Sequence, residues 1–102
     1  MDIQLNVMEI IGNSGECRSL SFEALKLAKN GAFHEAEEKL NLAKERMVSA
    51  HKFQTSLIFA EAEGDKVEMG PLMVHAQDHL MTSSMFRDLI KEFVEVYKKL
   101  DN

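Results

Sequence analysis

The sequence predicts an all-α protein, an antiparallel bundle of three long helices. Three observations predict it. Apolar residues recur at spacings of three and four over most of the chain, no alternating strand pattern of useful length occurs, and only two stretches clearly punctuate the helical pattern. Those stretches are Asn30-Gly31, where glycine suits the left-handed turn that ends a helix, and residues 64–71, which hold Gly64, Gly70 and the only proline, Pro71. Connections this short make successive helices antiparallel. A helix of about 28 residues spans about 42 Å, so the bundle is expected to be elongated.

The middle helix is the clearest. Over residues 33–62 the positions Phe33, Ala36, Leu40, Ala43, Met47, Ala50, Gln54, Leu57 and Ala60/Glu61 form one stripe, with Glu35, Glu38, Lys39, Lys44 and Glu45 mostly off it. The last helix, over residues 72–100, carries His75, His79, Thr82, Phe86, Leu89, Phe93, Val96 and Leu100 at near-heptad steps, which suits a bundle seam. The first segment is divided. Ile3, Val7, Met8 and Ile11, then Phe22, Leu25 and Ala28, have helical spacing, but Gly12, Asn13, Ser14 and Gly15 interrupt them. Each helical glycine costs about 1 kcal/mol relative to alanine, so propensity favours a short helix, a break and a second helix. The alternative is one long helix whose small residues permit close contact.

The 102 residues suffice for one small domain, residues 1–102. A composition of 45% hydrophobic and 28% charged residues is that of a globular chain. A thin domain of this size buries a limited share of its surface, and self-association is an ordinary way to bury more. The net charge of −5, with no basic run longer than Lys98-Lys99, argues against nucleic acid and against anionic lipid surfaces. The start of the chain lacks the basic and apolar regions of a signal peptide, and no run approaches the roughly 18 apolar residues of a membrane span. Cys17 stands alone, which excludes an intrachain disulfide and a Cys-rich zinc site, and it reads as a small apolar filler. A cytoplasmic protein is expected. The seven methionines, Met69, Met73, Met81 and Met85 among them, read first as core filler and second as an adaptable docking surface.

The densest polar cluster is His75-Ala76-Gln77-Asp78-His79-Leu80-Met81-Thr82. On a helix, positions 75, 78, 79 and 82 share one side, so two imidazoles, a carboxylate and a hydroxyl project together. Burying such groups unpaired costs roughly 1–3 kcal/mol each, and packing alone would favour leucine or isoleucine there. Three readings compete. The groups are hydrogen-bonded polar residues at a bundle end. Or they hold a metal, since His at i and i+4 with Asp at i+3 can converge on one ion, although HExxH is absent and a further ligand must come from elsewhere. Or one imidazole is a nucleophile: a neutral ring nitrogen attacks readily near neutral pH, and a phosphorylated imidazole is a reactive donor. Asp78, Gln77, His79 and Thr82 are then suitable to orient the ring or cradle phosphoryl oxygens. His51 and Gln54, three residues apart on the middle helix, are either a core hydrogen-bonding pair or, where that helix runs beside the start of the third, further contributors, within the chain or across a subunit boundary. His34 sits by the Gly31 turn among acidic residues and reads as a solvated surface residue.

Those residues also carry a resemblance. Residues 11–20, 24–33, 50–55 and above all 74–83, with the ordered motif from His75 to Thr82, resemble the IIA component of the lactose/cellobiose family of the bacterial sugar phosphotransferase system. The likeness covers nearly the whole chain, and the motif together with Asn13-Ser14-Gly15 looks closer to the cellobiose/diacetylchitobiose branch. The resemblance implies a three-helix protomer assembled as a homotrimer, with a first helix running unbroken through Gly12–Gly15. It implies that His75 is the phosphorylated histidine of a phosphotransferase component and that Gln77 and His79 support it. His51 and Gln54 correspond to the family's pair on the second helix. Asp78 corresponds to an aspartate gathered near the threefold axis around a divalent ion such as Mg²⁺. The implied partners are phospho-HPr as donor and the cognate IIB component as acceptor, with no nucleotide loop in the chain and therefore a protein donor rather than ATP.

Overall fold

The computed structural model describes residues 2–101. Among them are three helices and no strand: α1, Ile3–Lys29; α2, Phe33–Ala62; and α3, Pro71–Leu100. The bundle measures 57 × 20 × 17 Å, and its radius of gyration of 16.0 Å exceeds the roughly 13 Å of a compact 100-residue domain. α1 packs against both other helices, which touch one another less. The start of α1, the end of α2 and the start of α3 therefore share one end of the bundle.

Each helix starts and stops for a local reason. The Asp2 carboxylate accepts the N–H of Leu5 at 3.0 Å and caps α1. Gly31 takes φ +79°, and the N–H groups of Gly31 and Ala32 donate to the carbonyls of Ala28 and Leu27, a Schellman closure of α1. Gly64, at φ +102°, closes α2 in the same way, with Gly64 and Asp65 donating to Glu61 and Ala60. Pro71 opens α3 in its first turn, where the missing N–H would have no partner within the helix.

α1 is continuous through Gly12–Gly15. The break expected from glycine propensity is overturned, and the unbroken helix implied by the family resemblance is what forms. The reason is packing. Apart from Asn13, the buried positions Val7, Ile10, Ser14, Cys17, Ser21, Ala24 and Ala28 follow strict steps of three and four, and both glycines lie off this stripe. The stripe is built of small side chains and faces Ala36, Ala43 and Ala50 of α2 and Ala76 and Ser83 of α3, all fully buried. Close helix contact over 27 residues outweighs about 2 kcal/mol of glycine penalty.

The core lies in two clusters. One joins Val7, Ile10 and Cys17 to Met47, Leu57, Met73 and Leu80, and the other joins Ala24 and Ala28 to Leu40, Ile90 and Val94. A polar layer lies between them. There the Ser21 hydroxyl donates to the Cys17 carbonyl at 2.8 Å, and the Arg87 guanidinium, its side chain 11% exposed, donates to the Leu40 carbonyl at 3.2 Å. Cys17 is wholly buried, and burial pushes its thiol above the ordinary range, which fits a filler and not a reactive group.

The stripe expected on α2 is the buried one. On α3 the expectation fails: of His75, His79, Thr82, Phe86, Leu89, Phe93, Val96 and Leu100, only His79 and Phe86 are partly buried and the others are exposed. The protomer instead buries Met73, Ala76, Leu80, Ser83, Ile90 and Val94. Both faces of α3 carry apolar residues at heptad steps, and only one finds a partner within the chain. The methionines divide likewise: Met73 is buried, whereas Met69, Met81 and Met85 are exposed, so the docking-surface reading fits those three better than core filling.

These contrasts are measurable by urea unfolding. Gly12 is helical with open space where a side chain would stand, so Gly12→Ala is expected to stabilise by about 0.5–1 kcal/mol. Gly31 is left-handed, so Gly31→Ala is expected to destabilise by about 1 kcal/mol. Equal signs for the two would contradict this account of α1.

Candidate functional site

The Pro71 start places His75 in the second turn of α3, directly after the 64–70 connection. Ala76 and Leu80 point into the core and anchor this part of the helix. The cluster occupies the other side, where His75, Asp78 and Thr82 are exposed and His79 is half-buried.

The two imidazoles are parallel, with ring centroids 5.6 Å apart and an interplanar angle of 10°. His79 is backed by α1: a side chain at Gly15 would begin 3.5 Å from the His79 Nε2, so the ring packs against bare backbone. Burial lowers the proton affinity of His79, positive charge on His75 and Arg18 lowers it further, and Asp78 opposes them. His79 is therefore neutral at pH 7 and presents one N–H donor.

Gln77 is locked. Gln54 Nε2 donates to its Oε1 at 2.6 Å, and its own amide approaches the Met73 sulfur at 3.6 Å. This bond joins α2 to α3 and brings together two of the expected site residues, Gln54 and Gln77. His51, one turn before Gln54, is exposed and hydrogen-bonds to none of the cluster. His51 lies off the buried stripe of α2, so it is not half of a core hydrogen-bonding pair with Gln54. Thr82 also differs from expectation: its hydroxyl donates to the Asp78 carbonyl of its own helix at 2.9 Å and is already engaged. The Asp78 carboxylate makes no hydrogen bond or ion pair among the described residues. Among those residues, no three His, Cys, Asp or Glu side chains of one chain converge on a metal position, so the protomer alone does not assemble the intrachain metal site considered from the sequence. His34 lies at the other end of the bundle, exposed and 3.1 Å from Glu38, as expected of a solvated residue.

Two residues at the site escaped the sequence reading, Gly15 and Arg18. Their signal is a spacing of three on α1, which has meaning only once that helix is known to be unbroken.

An exposed imidazole stacked with a second, neutral one is an arrangement able to accept and hold a phosphoryl group. The family described as "PTS system, Lactose/Cellobiose specific IIA subunit" matches residues 5–98. The chain belongs to this family. Among curated relatives, the lichenan-specific phosphotransferase enzyme IIA component of Bacillus subtilis is 46% identical over 94 residues, covering 92% of this chain and 86% of the relative. The solved cellobiose-specific enzyme IIA of Bacillus anthracis is 44% identical and superposes with a TM-score of 0.95 over 99% of this chain and 93% of that one. The chitobiose IIA of Escherichia coli, solved in complex with HPr, is 40% identical with a TM-score of 0.84, over 100% of this chain and 99% of that one. Family membership and the three-helix fold expected from the sequence are thus established for this IIA chain.

The depressed proton affinity of His79 has a consequence for stability. The unfolded chain protonates this residue near pH 6.5 and the folded chain only at lower pH. Between those values the unfolded state holds more protons, so the contribution of His79 is complete above about pH 6.5 and is lost as the pH falls towards the folded value. An NMR titration is expected to place His79 below the ordinary imidazole range, and His79→Gln to remove that part of the acid-side decline in stability.

Proposed function

We propose that this chain is a cytoplasmic phosphocarrier that accepts a phosphoryl group from phospho-HPr on His75 and passes it to a cysteine of the cognate IIB component. The transfer serves uptake of a β-linked disaccharide of the cellobiose or diacetylchitobiose type. The observation that carries this reading is the exposure of His75 in a IIA-family chain: its ring stands open to a protein partner while its neighbours are fixed. In the first step the lone pair of a neutral His75 nitrogen attacks phosphorus, and the donor's phosphorus–nitrogen bond breaks with its electron pair returning to the donor ring. In the second a cysteine thiolate attacks, and the bond to His75 breaks with its pair returning to the imidazole. The protein's part is positioning and charge stabilisation. His79 holds its ring parallel to His75 and offers its N–H, and the Gln54–Gln77 bond sets the adjoining amide. His51 stands available on the same part of α2. The HPr complex of the chitobiose relative supports HPr as the donor, and no helix among the described residues is long and apolar enough to cross a membrane.

The uncovered face of α3 supports a homotrimer as the working form. Met85, Leu89, Phe93, Val96 and Leu100 are 44–73% exposed at steps of three and four, continuing the line of Asp78 and Thr82. Three such faces packed on an axis bury this seam. They also gather three Asp78 carboxylates, which repel strongly at low dielectric. The donor set fits a hard divalent cation such as Mg²⁺, because these oxygens are free of protein partners and one chain supplies too few ligands alone. When bound, the ion neutralises the carboxylates and stabilises the assembly.

Two experiments test the reading. Incubation with phosphoenolpyruvate, the general phosphotransferase enzyme and HPr is expected to put acid-labile phosphate on the protein, and none on His75→Gln; a label that survives this substitution refutes the assignment. Native mass spectrometry is expected to give a trimer with a bound divalent ion that is lost on chelation or in Asp78→Leu and kept in His75→Gln. Loss of the ion in His75→Gln as well would favour a metal-binding helical module without phosphotransfer.

A further inference from the structure

A phosphoryl group on an imidazole carries close to two negative charges, and the side chains so far described offer little to meet them. The Gln77 amide is held by Gln54 and Met73, the Thr82 hydroxyl donates to its own helix, and His79 offers at most one imidazole edge. None is a permanent cation.

The chain has three arginines. Two are engaged: Arg46 stands 3.9 Å from Glu16, and Arg87 donates to the Leu40 carbonyl from a nearly buried position. Arg18 is exposed and, among the described residues, has no hydrogen bond or ion pair. It lies one turn beyond Gly15 on the same side of α1. Helical side chains lean towards the N-terminus and cover the preceding turn, so Arg18 reaches back over the turn of Gly15. That is the turn against which the His79 ring packs, with Nε2 3.5 Å from where a Gly15 side chain would begin.

Resting on the reading of His75 as the phosphoacceptor, we propose that Arg18 is the phosphoryl-binding cation of this site, a residue of α1 whose guanidinium engages the phosphoryl oxygens as they arrive on His75. The group is kept free of carboxylate partners in the unphosphorylated protein, so no ion pair has to break when the anion arrives. A planar guanidinium matches phosphoryl oxygens by forked hydrogen bonds.

The test compares the full-length wild type, Arg18→Gln and Arg18→Lys, with matched helical circular dichroism as the condition of folding. Phosphotransfer from phospho-HPr is followed at varied HPr concentration. Arg18→Gln is expected to lower kcat about 10- to 100-fold, the loss of charge-assisted hydrogen bonds to a developing anion, with KM for phospho-HPr little changed. Arg18→Lys keeps the charge without the fork and is expected to recover only part of that loss. A kcat for Arg18→Gln within twofold of wild type overturns the proposal and leaves the phosphocarrier reading intact. So does an effect confined to KM, which assigns Arg18 to docking of the donor. Absence of label on the wild type overturns the reading of His75 and this inference with it.

Discussion

The close approach of α1 to its two neighbours is the constraint on which the rest of the structure depends. A helix that presents Ser14, Cys17, Ser21, Ala24 and Ala28 to alanine-rich surfaces brings backbones together and gains contact along its whole length. Larger residues on that stripe would force the helices apart and remove the reason for α1 to pass straight through Gly12 and Gly15. The same closeness sets the site. His79 meets the backbone of α1 at Gly15, and a bundle opened by even one methyl layer would leave that ring without a wall behind it. Core packing and the orientation of the site's second imidazole therefore have one cause.

The bundle buys this closeness with weak interior cohesion. Small residues bury little apolar area each, at about 25 cal/mol per Å², and Ser14 and Ser83 bury hydroxyls that find no partner among the described residues. At the same time α3 leaves a line of large apolar side chains uncovered from Met85 to Leu100. A protomer with a lean interior and a rich exterior is poorly balanced by itself, and association through α3 corrects both faults together. This is the physical logic behind the proposed trimer, and it also explains why Asp78, on the same face, remains unpaired within one chain.

The sequence made some of this legible and concealed the rest for identifiable reasons. α2 was readable to its ends because its apolar stripe has one face only and its boundaries coincide with Gly31 and Gly64, both left-handed. α1 misled because beyond Val7 and Ile10 its buried stripe is made of small serine, cysteine and alanine side chains, which stand out less than the exposed Met8 and Phe22. α3 misled in the opposite way. It has two apolar faces, and the one with the larger residues belongs outside the protomer. Spacing finds a face but cannot say which molecule covers it. At the site, the 75–82 motif was legible as a cluster, yet the separate fates of its members were not. Gln77 is locked by Gln54, Thr82 turns onto its own helix and His75 stays open. Such distinctions depend on the rotation of α3 against α1, which is a tertiary fact.

For a carrier of the kind proposed, a site this open is an advantage. A carrier must take up its phosphoryl group and then surrender it, so interactions that favoured the bound group strongly over the transition state would slow the second transfer as much as they aided the first. A deep cationic cage would do that, because charge attraction in a dry interior greatly exceeds that in water. Here the ring stands in solvent, its stacked neighbour is uncharged near neutral pH, and Arg18 is itself exposed and screened. The lowered proton affinity of His79 then has a use beyond stability. An imidazolium stacked on His75 would add a second cation to the one proposed on α1 and deepen the well, whereas a neutral N–H orients the group without doing so. The wall at Gly15 that half-buries His79 thus links the packing of α1 to the reversibility that a phosphocarrier requires.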